Sequence, residues 1–408
     1  MAVMAISEPA EGARERLMAF VAEMAGGMTH VRQRANALVS VRGLIEHGGR
    51  KSLQPTLFRL GESAARYESV QQFVADSPWD PEALVRACAE RGVPAVDPQA
   101  WVIDDTGFPK DGRRSPGVAR QYSGTLGKVG NCQIGVSLHA VGWGGTLPLG
   151  WALYLPADWC ADPLRRRAAK IPERVGFATK PQLAERLIAT AAGWQIPAAP
   201  VLGDQAYGDC TALRTGLDRA GTQYVLAIGA GTGLFDAQTV FAPAPRRPGR
   251  GRPPSALRPD RPPLPAADLA GSLAPQAFGR IAFTTGPGGR ARSGRFAVIR
   301  VCAAHPIVRD HQAPRPEWLI VEWPEGAESP SGYWLSNLPA DTPPARLAQL
   351  ARLRWVVELD YRQLKGELGL DHYEGRSYLG WHHHCALVTC AHAFLTLERL
   401  CPPARRPA

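Results

Sequence analysis

Three acidic residues of the chain stand in settings that suit phosphodiester chemistry. Asp104 and Asp204 each close a short apolar run rich in β-formers, and each leads into a turn-like sequence, Thr-Gly or Gln-Ala-Tyr-Gly. This arrangement is typical of a buried central strand that delivers a carboxylate to the edge of a sheet. Glu358 lies in a long helical pattern, four residues after Arg354 and seven before Lys365. The spacing predicts that these three residues share one stripe of a helix.

Two strand-end aspartates and one helix glutamate can together hold a pair of divalent metal ions. Such a pair activates water and stabilises the leaving oxygen when a phosphodiester is cleaved. The sequence therefore predicts a metal-dependent nuclease or strand transferase. Asp105 competes with Asp104 for the first position, because neighbouring residues of a strand point to opposite faces and only one of them should bind metal.

The composition agrees with a nucleic-acid partner. The chain has 408 residues, of which 45% are hydrophobic and 21% charged, so it can bury a large core divided among two or three domains. Its net charge is +10 and its pI is near 9.4, which suits a polyanion such as DNA. Only six of the 47 basic residues are lysine, so a GC-rich coding bias is an alternative explanation of the charge.

The sequence predicts neither membrane insertion nor a disulfide framework. No apolar stretch approaches the roughly 18 residues of a membrane span, and no signal peptide is recognised, so a bacterial cytoplasmic, nucleoid-associated location is expected. The eight cysteines follow no regular spacing and are expected to be reduced. A metal role for His382, His383 and His384 with Cys385 or Cys390 is disfavoured, because consecutive helix residues point in different directions.

Residues 1–98 are predicted to form a helical DNA-binding region. Apolar residues recur at helical spacing from residue 14 onward, and Asp80 is expected to cap a helix over 81–91 by accepting free backbone donors. The basic residues of this region could contact phosphates or could form a solvated helix face: Arg32, Arg34, Arg42, Arg50 and Lys51.

Residues 99–235 are predicted to form the first part of an α/β core. Helices are expected near 179–194 and 209–220, and strands near 101–105, 131–141, 147–155, 200–204 and 223–229. Three sequential strands and then a helix leading into the Asp204 strand is the order of an RNase H-like sheet, although other α/β arrangements share this periodicity. A basic connector at 158–178 would suit a phosphate backbone.

Residues 236–340 are predicted to form an insertion before the glutamate helix. Its segment 243–265 holds nine prolines and six arginines and is expected to be a disordered or extended basic loop, without helix or ladder. Strand-like runs follow at 279–284, 295–303, 317–323 and 332–336. Residues 341–408 should complete the core with helices over 343–368 and 378–400.

Four sequence blocks resemble those of a known family. They are Asp104-Asp-Thr-Gly-Phe-Pro-Lys110, Arg120-Gln-Tyr-Ser-Gly-Thr-Leu-Gly127 with Asn131-Cys-Gln, Gly203-Asp-Gln-Ala-Tyr-Gly208, and Arg354-x3-Glu358-x6-Lys365. In this order they are similar to the DDE transposases of bacterial insertion sequences, in the branch with a Tyr-x2-Arg-x3-Glu-x6-Lys signature. The likeness covers roughly residues 15–400. The signature tyrosine falls at Ala351, so its role does not carry over.

The resemblance implies an α/β, RNase H-like catalytic domain with a mixed sheet and flanking helices. In it, Asp104, Asp204 and Glu358 would hold two Mg²⁺ ions, for which Mn²⁺ could substitute. Asp104 is favoured over Asp105 because the family pattern tolerates glutamate at the second position.

The same resemblance implies contacts with DNA. Arg354 and Lys365 would contact phosphates at the transposon end; the alternative is a helix-surface ion pair with Glu358, worth about 0.3–0.5 kcal/mol. Trp334 lies where related transposases place an aromatic residue that stacks on a displaced end base. A tryptophan in the core of a strand fits the sequence equally well.

The implied function is cut-and-paste transposition of an insertion sequence. A homodimer or larger assembly would cleave DNA at two terminal inverted repeats and transfer the ends into target DNA, with no membrane partner. Two alternatives stay open: another RNase H-like DNA nuclease, and a catalytically inactive, DNA-binding derivative of a transposase. Strand transfer by the protein would rule out a simple nuclease, and DNA cleavage by the protein would rule out an inactive derivative.

Overall fold

The chain folds as two compact units. The structure, a computed structural model, describes residues 12–46, 48–243, 257–286, 288–304 and 314–400. Residues 1–198 and 355–408 form the first unit, and residues 199–354 form the second unit. Within the described ranges, no helix combines the length and apolar character needed to cross a membrane.

The first unit begins with helices that bury one apolar face. Leu17, Phe20 and Val21 recur at helical spacing and are buried on one side of α1 (Ala13–Met24). Asp80 caps α5 as predicted, because its carboxylate accepts the Glu82 backbone N–H at 2.9 Å. After α1 come a 3₁₀ turn (Ala25–Gly27), α2 (Val31–Ile45), α3 (Leu53–Arg59), α4 (Ala64–Ala75) and α5 (Pro81–Val96).

An antiparallel sheet follows these helices. Its strands are β1 (Pro98–Pro109), β2 (Ala119–Ser123), β3 (Lys128–Gly142) and β4 (Thr146–Leu153). β3 pairs with β1 along one edge, and with β2 and then β4 along the other. The strands predicted near 101–105, 131–141 and 147–155 are confirmed. β2 is absent from the predicted strands, because Arg120 and Tyr122 are exposed and leave no apolar alternation.

Short helices lead from this sheet to the second unit. They are α6 (Ala157–Ala161), α7 (Pro163–Ala168) and α8 (Lys180–Ala192). Thr179 and Gln182 form a capping box at the start of α8, because each side chain bonds the backbone N–H of the other residue. Lys180 is the first residue of the helix that this cap begins.

The second unit is built on a mixed sheet. β5 (Val201–Gly203) and β6 (Tyr224–Ala227) pair in parallel and are connected by α9 (Gln205–Gly208) and α10 (Thr211–Arg219). The strands that follow are antiparallel to their partners: β7 (Gly233–Asp236), β8 (Phe241–Pro243), β9 (Leu257–Pro259), β10 (Leu264–Pro265), β11 (Gly279–Thr285), β12 (Arg290–Ala303), β13 (Glu317–Glu322) and β14 (Gly332–Ser336).

Within the second unit the sheet runs in the order β10-β7-β12-β13-β14-β6-β5, with β11 added to β12, while β8 and β9 pair separately. One face buries an apolar core that includes Leu319, Val321 and Leu335, and α11 (Ala266–Gly271) covers it with Leu269. A 3₁₀ turn (Pro275–Ala277) and α12 (Pro344–Leu353) complete this unit. The predicted strands at 279–284, 295–303, 317–323 and 332–336 are confirmed.

The prediction that 243–265 forms no ladder is wrong at both ends of the segment. Pro243 belongs to β8 and pairs with Leu257 of β9, and Leu264 of β10 pairs with Leu234 of β7. A proline can end a strand where its missing N–H is not needed, so composition alone does not exclude pairing here. The expectation of disorder falls on residues 244–256, which lie outside the described residues.

Two further helices return the chain to the first unit. These are α13 (Val356–Gly366) and α14 (Tyr378–Leu400). α14 packs on one face of the antiparallel sheet, where Thr389 accepts the indole N–H of Trp151 on β4 at 3.0 Å. α8 packs on the other face, where Leu187 lies against Gly150 of β4. Helices on both faces of the sheet confirm the predicted α/β class.

Candidate active site

Asp104 lies in the middle of β1, so the prediction that it ends a strand is wrong. The ladder with β3 continues beyond it as far as Pro109, which pairs with Cys132. Asp104 is 7% exposed and lies opposite Ser137 of β3, so both side chains project from the same face of the sheet. Its Oδ1 accepts the backbone N–H of Asp105 at 2.8 Å.

Asp105 projects from the opposite face of the sheet. Its Oδ2 lies 2.9 Å from the amine of Lys180, at the start of α8, and both side chains are half-buried. Sequence reasoning did not identify Lys180, which is the first residue of α8. The two neighbouring aspartates therefore meet different partners, one on each face.

α13 packs on the face of the sheet that carries Asp104. The phenol of Tyr361 lies 2.5 Å from the hydroxyl of Ser137. Burial and the neighbouring Asp104 carboxylate raise the pKa of Tyr361 well above its usual value. Glu358 stands three residues before Tyr361 on the same helix, and its side chain is exposed.

Lys365 lies on the stripe of α13 that carries Glu358, seven residues further on. Its amine donates to the carbonyl oxygen of Gly107 at 2.7 Å and to the hydroxyl of Thr125 at 3.1 Å. Burial lowers the pKa of Lys365 to about 8. The lysine thus ties α13 to the end of β1 while remaining half-exposed.

The predicted continuous helix over 343–368 is wrong, because the chain turns at Arg354 and Trp355. α12 ends at Leu353 and α13 begins at Val356. The backbone N–H of Glu358 donates to the carbonyl oxygen of Trp355 at 3.1 Å, which is the first turn of α13. A spacing of four residues therefore does not by itself place Arg354 on the stripe of Glu358.

Asp204 directly follows β5 in the second unit, as predicted. It is half-buried and caps α9, since its Oδ1 accepts the backbone N–H of Ala206 at 2.9 Å. The turn after it is tightly packed: a Cβ at Gly208 would overlap the carbonyl of Ala227 on β6. The one-turn helix α9 thereby fixes the position of the Asp204 carboxylate.

Trp334 lies within the sheet of the second unit. It pairs with Ile320 of β13 and with Ala227 of β6, and its side chain is half-buried. Its neighbours Tyr333 and Leu335 point into the apolar core, so the indole projects from the other face of the sheet, beside Gly332.

Several basic residues with a predicted phosphate role have partners inside the first unit. Arg34 donates to the carbonyl of Met28 at 2.7 Å, Arg42 pairs with Glu46 at 2.7 Å, and Lys51 donates to the carbonyl of Leu44 at 2.7 Å. Lys51 is 5% exposed, and burial lowers its pKa to about 8. These contacts stabilise helix ends and turns, and phosphate binding by these residues stays a prediction.

The basic connector at 158–178 is also engaged locally. Arg165 pairs with Asp158 at 3.0 Å and stacks over Trp159, and Lys170 lies 2.6 Å from Asp76. Its role toward a phosphate backbone likewise stays a prediction.

The histidine run of α14 serves the packing of the first unit. His383 bonds the carbonyls of Val74 and Trp79, each at 2.9 Å, and His384 bonds the carbonyl of Gly369 at 2.9 Å. In the part of the chain that the structure describes, no three His, Cys, Asp or Glu side chains are grouped so that they could hold a metal ion.

Sequence reasoning missed a buried polar cluster on the Asp104 face. It comprises five buried residues: Ser137, His139, Thr146, Asp360 and His392. A signal was present, because Ser137 and His139 are polar positions within the otherwise apolar run of β3. The periodicity of the sequence assigns Ser137 and His139 to a strand, but it does not predict which helix packs against that face of the sheet.

Comparison with known proteins agrees with this architecture. The family model described as DDE superfamily endonuclease matches residues 23–287, more than half of the chain, and this span contains Asp104 and Asp204 but ends before Glu358. The chain is also 29% identical over 164 residues to a protein named "Probable transposase for insertion sequence element IS701" from Microchaete diplosiphon. That match covers 40% of this chain and 40% of that relative. The α/β fold is RNase H-like, and the chain belongs to the DDE superfamily of endonucleases.

Proposed function

We propose that the protein is a transposase that cleaves DNA at the ends of an insertion sequence and joins those ends to target DNA. One observation carries the proposal: the helix that bears Glu358 packs on the sheet face where Asp104 lies. Membership of the DDE superfamily and the similarity to a probable transposase support it. The substrates would be terminal inverted repeats and target DNA, bound by a homodimer.

The proposed catalytic residues are Asp104, Asp204 and Glu358. Enzymes of this superfamily generally use divalent metal ions, and carboxylate oxygens are the ligands that Mg²⁺ prefers. The chemistry of these donors suits two Mg²⁺ ions, which Mn²⁺ could replace, although the described residues bring no three such side chains together at metal-binding distance. When bound, such ions would activate the attacking water or 3′-hydroxyl and stabilise the leaving oxygen.

Asp104 is the first ligand in this proposal, with Asp105 as the alternative. The Asp104 face is the one covered by α13, whereas Asp105 forms an ion pair with Lys180 on the other face. Its place on the face covered by the Glu358 helix supports Asp104.

Arg354, Lys365 and Trp334 are the proposed DNA contacts. Lys365 is half-exposed, and its lowered pKa leaves it mostly charged at neutral pH, which suits a phosphate oxygen. Trp334 presents its indole on the face of its sheet away from the apolar core, where a base could stack. We further propose that residues 1–98 bind DNA and that residues 236–340 form an insertion between core segments 99–235 and 341–408.

A second candidate function is DNA hydrolysis without strand transfer. The matched family model is described only as an endonuclease, which this function would satisfy fully. The two reactions differ in the second nucleophile: a transposase uses the 3′-hydroxyl that it has released, while a nuclease uses only water.

The test uses labelled DNA that carries the sequences flanking the reading frame. The wild-type protein should nick at the element end with Mg²⁺ and then join the labelled 3′ end to a supercoiled plasmid. Asp204→Asn should do neither, while the matched variant Asp268→Asn, at an exposed aspartate of α11, should do both. Nicking without joining would favour the nuclease, and full activity of Asp204→Asn would refute the proposed site.

A further inference from the structure

Asp360 is the centre of a buried hydrogen-bond network beneath α13. Its Oδ1 accepts from the hydroxyl of Thr146 at 2.7 Å and lies 2.9 Å from Nε2 of His392. Its Oδ2 lies 2.5 Å from Nδ1 of His139. The side chain of Asp360 is 1% exposed. One carboxylate of α13 is thus bonded to β3, β4 and α14 at once.

The network continues to the candidate site. Nε2 of His139 lies 2.9 Å from the hydroxyl of Ser137, which in turn lies 2.5 Å from the phenol of Tyr361. Ser137 is the residue opposite Asp104 in the β1–β3 ladder. Asp360 and Tyr361 are therefore the two ends of one hydrogen-bonded chain that includes Ser137, the cross-strand neighbour of Asp104.

The donors around Asp360 are directed toward it. Within the described residues, Nδ1 of His392 is buried without a hydrogen-bond partner, and Nε2 is the ring nitrogen that faces Asp360, at 2.9 Å. Asp360 therefore has hydrogen-bonding partners on three other elements, Thr146 of β4, His139 of β3 and His392 of α14.

A buried polar network of this kind fixes geometry more than it adds stability. Apolar side chains of similar volume would pack at no desolvation cost, whereas hydrogen bonds of fixed length and direction allow one arrangement of the elements that they join. α13 is a short helix of 11 residues, and Glu358 precedes Asp360 by only two positions. Any rotation of α13 that breaks the network also moves Glu358.

We propose that Asp360 is a positioning residue for the cleavage reaction. By bonding to His139, Thr146 and His392 it fixes the rotation of α13 and so places the Glu358 carboxylate relative to Asp104. This inference rests on the proposed function, because it assumes that Glu358 and Asp104 act in cleavage. It assigns no contact between Asp360 and the substrate.

The test compares Asp360→Asn with a matched control in the full-length protein. Asparagine keeps the shape of the side chain, but its amide NH₂ replaces one carboxylate oxygen. That NH₂ would face a hydrogen-bond donor of Thr146, His139 or His392, so the hydrogen bond would be lost. The cleavage rate should fall by about 10–100-fold, the loss that is typical when a residue that orients a metal ligand is removed. Thr389→Val removes another buried hydrogen bond of α14, the one to Trp151, without touching Asp360, and should cleave normally.

The decisive readout is a Mg²⁺ titration of the cleavage rate, run beside a melting curve and a DNA-end binding assay. Displacement of Glu358 should raise the Mg²⁺ concentration at half-maximal rate and lower the saturating rate. End binding should fall by no more than about fivefold, the worth of the Lys365 contact on the same helix. A purely stabilising network would instead lower melting temperature and scale all activity by the folded fraction, with the Mg²⁺ midpoint unmoved. That second pattern would overturn the proposal.

Thr146→Val keeps the proposal testable if Asp360→Asn fails to fold. It removes one of the three donors to Asp360 and should shift the Mg²⁺ midpoint in the same direction by a smaller factor. An unmoved midpoint in a folded Thr146→Val protein would count against the proposal. Failure of the proposed function looks different, because then Glu358→Gln itself would cleave normally.

Discussion

The two units position their candidate carboxylates in different ways. In the first unit, Asp104 sits in the middle of a 12-residue strand, and α13 above it is bonded to the sheet through Tyr361 and Asp360. In the second unit, Asp204 follows a strand of three residues and is oriented by the one-turn helix that it caps. The first arrangement depends on contacts distant in sequence, and the second on neighbours along the chain. Substitutions in the contacts between α13 and the sheet should therefore alter the site around Asp104 although they lie far from it in sequence. The position of Asp204 should respond only to substitutions close to it in sequence.

The largest effect is expected from removing a carboxylate in either unit. Asp204→Asn and Glu358→Gln should each lower Mg²⁺-dependent cleavage by about 10³-fold, since lost metal stabilisation of several kcal/mol corresponds to that factor. Both proteins should still bind DNA ends, because neither change alters the core. Glu367→Gln, at the exposed end of α13, is the matched control and should cleave normally. Gel-based cleavage and end binding on one labelled substrate measure both properties.

The next prediction separates the two faces of β1. Asp104→Asn should lower the cleavage rate as strongly as Glu358→Gln does. Asp105→Asn should lower the cleavage rate by about tenfold or less, because it removes only a charge that is paired with Lys180. Lys180→Met should resemble Asp105→Asn if that pair acts only in packing. The reverse ranking of the two aspartates would move the first ligand to Asp105 and assign the Lys180 face to the site.

A smaller effect is expected at Trp334 in the second unit. If the indole stacks on a displaced end base, Trp334→Ala should slow the step after first-strand nicking by about 1–3 kcal/mol, or about 5–150-fold. Trp318→Ala is the matched control, a half-buried tryptophan on the neighbouring strand β13. A core role would instead lower melting temperature and every step together, since truncating a core tryptophan typically costs about 3–5 kcal/mol.

The smallest predicted effect is a pH dependence of DNA binding through Lys365. Its pKa is about 8, so its charge is lost as pH rises from 7 to 9, and end affinity should decline by up to about fivefold, the worth of one exposed ion pair. Lys365→Arg should flatten this decline because arginine stays charged. Loss of stability at Lys365 cannot cause this decline in affinity with rising pH. The folded-state pKa lies below the 10.5 of free lysine, so this group's contribution to stability rises between pH 8 and 10.5.

Local sequence patterns predicted most of the elements, and their failures have physical causes. The strands that contain Asp104 and Trp334 were recognisable because buried β-formers dominate them. The break between α12 and α13 could not be recognised from the sequence. Arg354 and Trp355 keep near-helical backbone angles, and neither glycine nor proline marks the break. The cluster around Asp360 was also beyond prediction. Its members come from β3, β4, α13 and α14, and only the tertiary fold brings them together.

The most direct test of the central claim is to map the metal site on the protein itself. Fe²⁺ can replace Mg²⁺ in such sites, and with ascorbate and peroxide it generates radicals that cut the nearby backbone. In the DNA-bound protein, fragments should end close to residues 104, 204 and 358, fade as Mg²⁺ is added, and disappear in Glu358→Gln. Cuts that cluster elsewhere, or cuts near 104 and 204 that persist unchanged in Glu358→Gln, would contradict a site built from these three carboxylates.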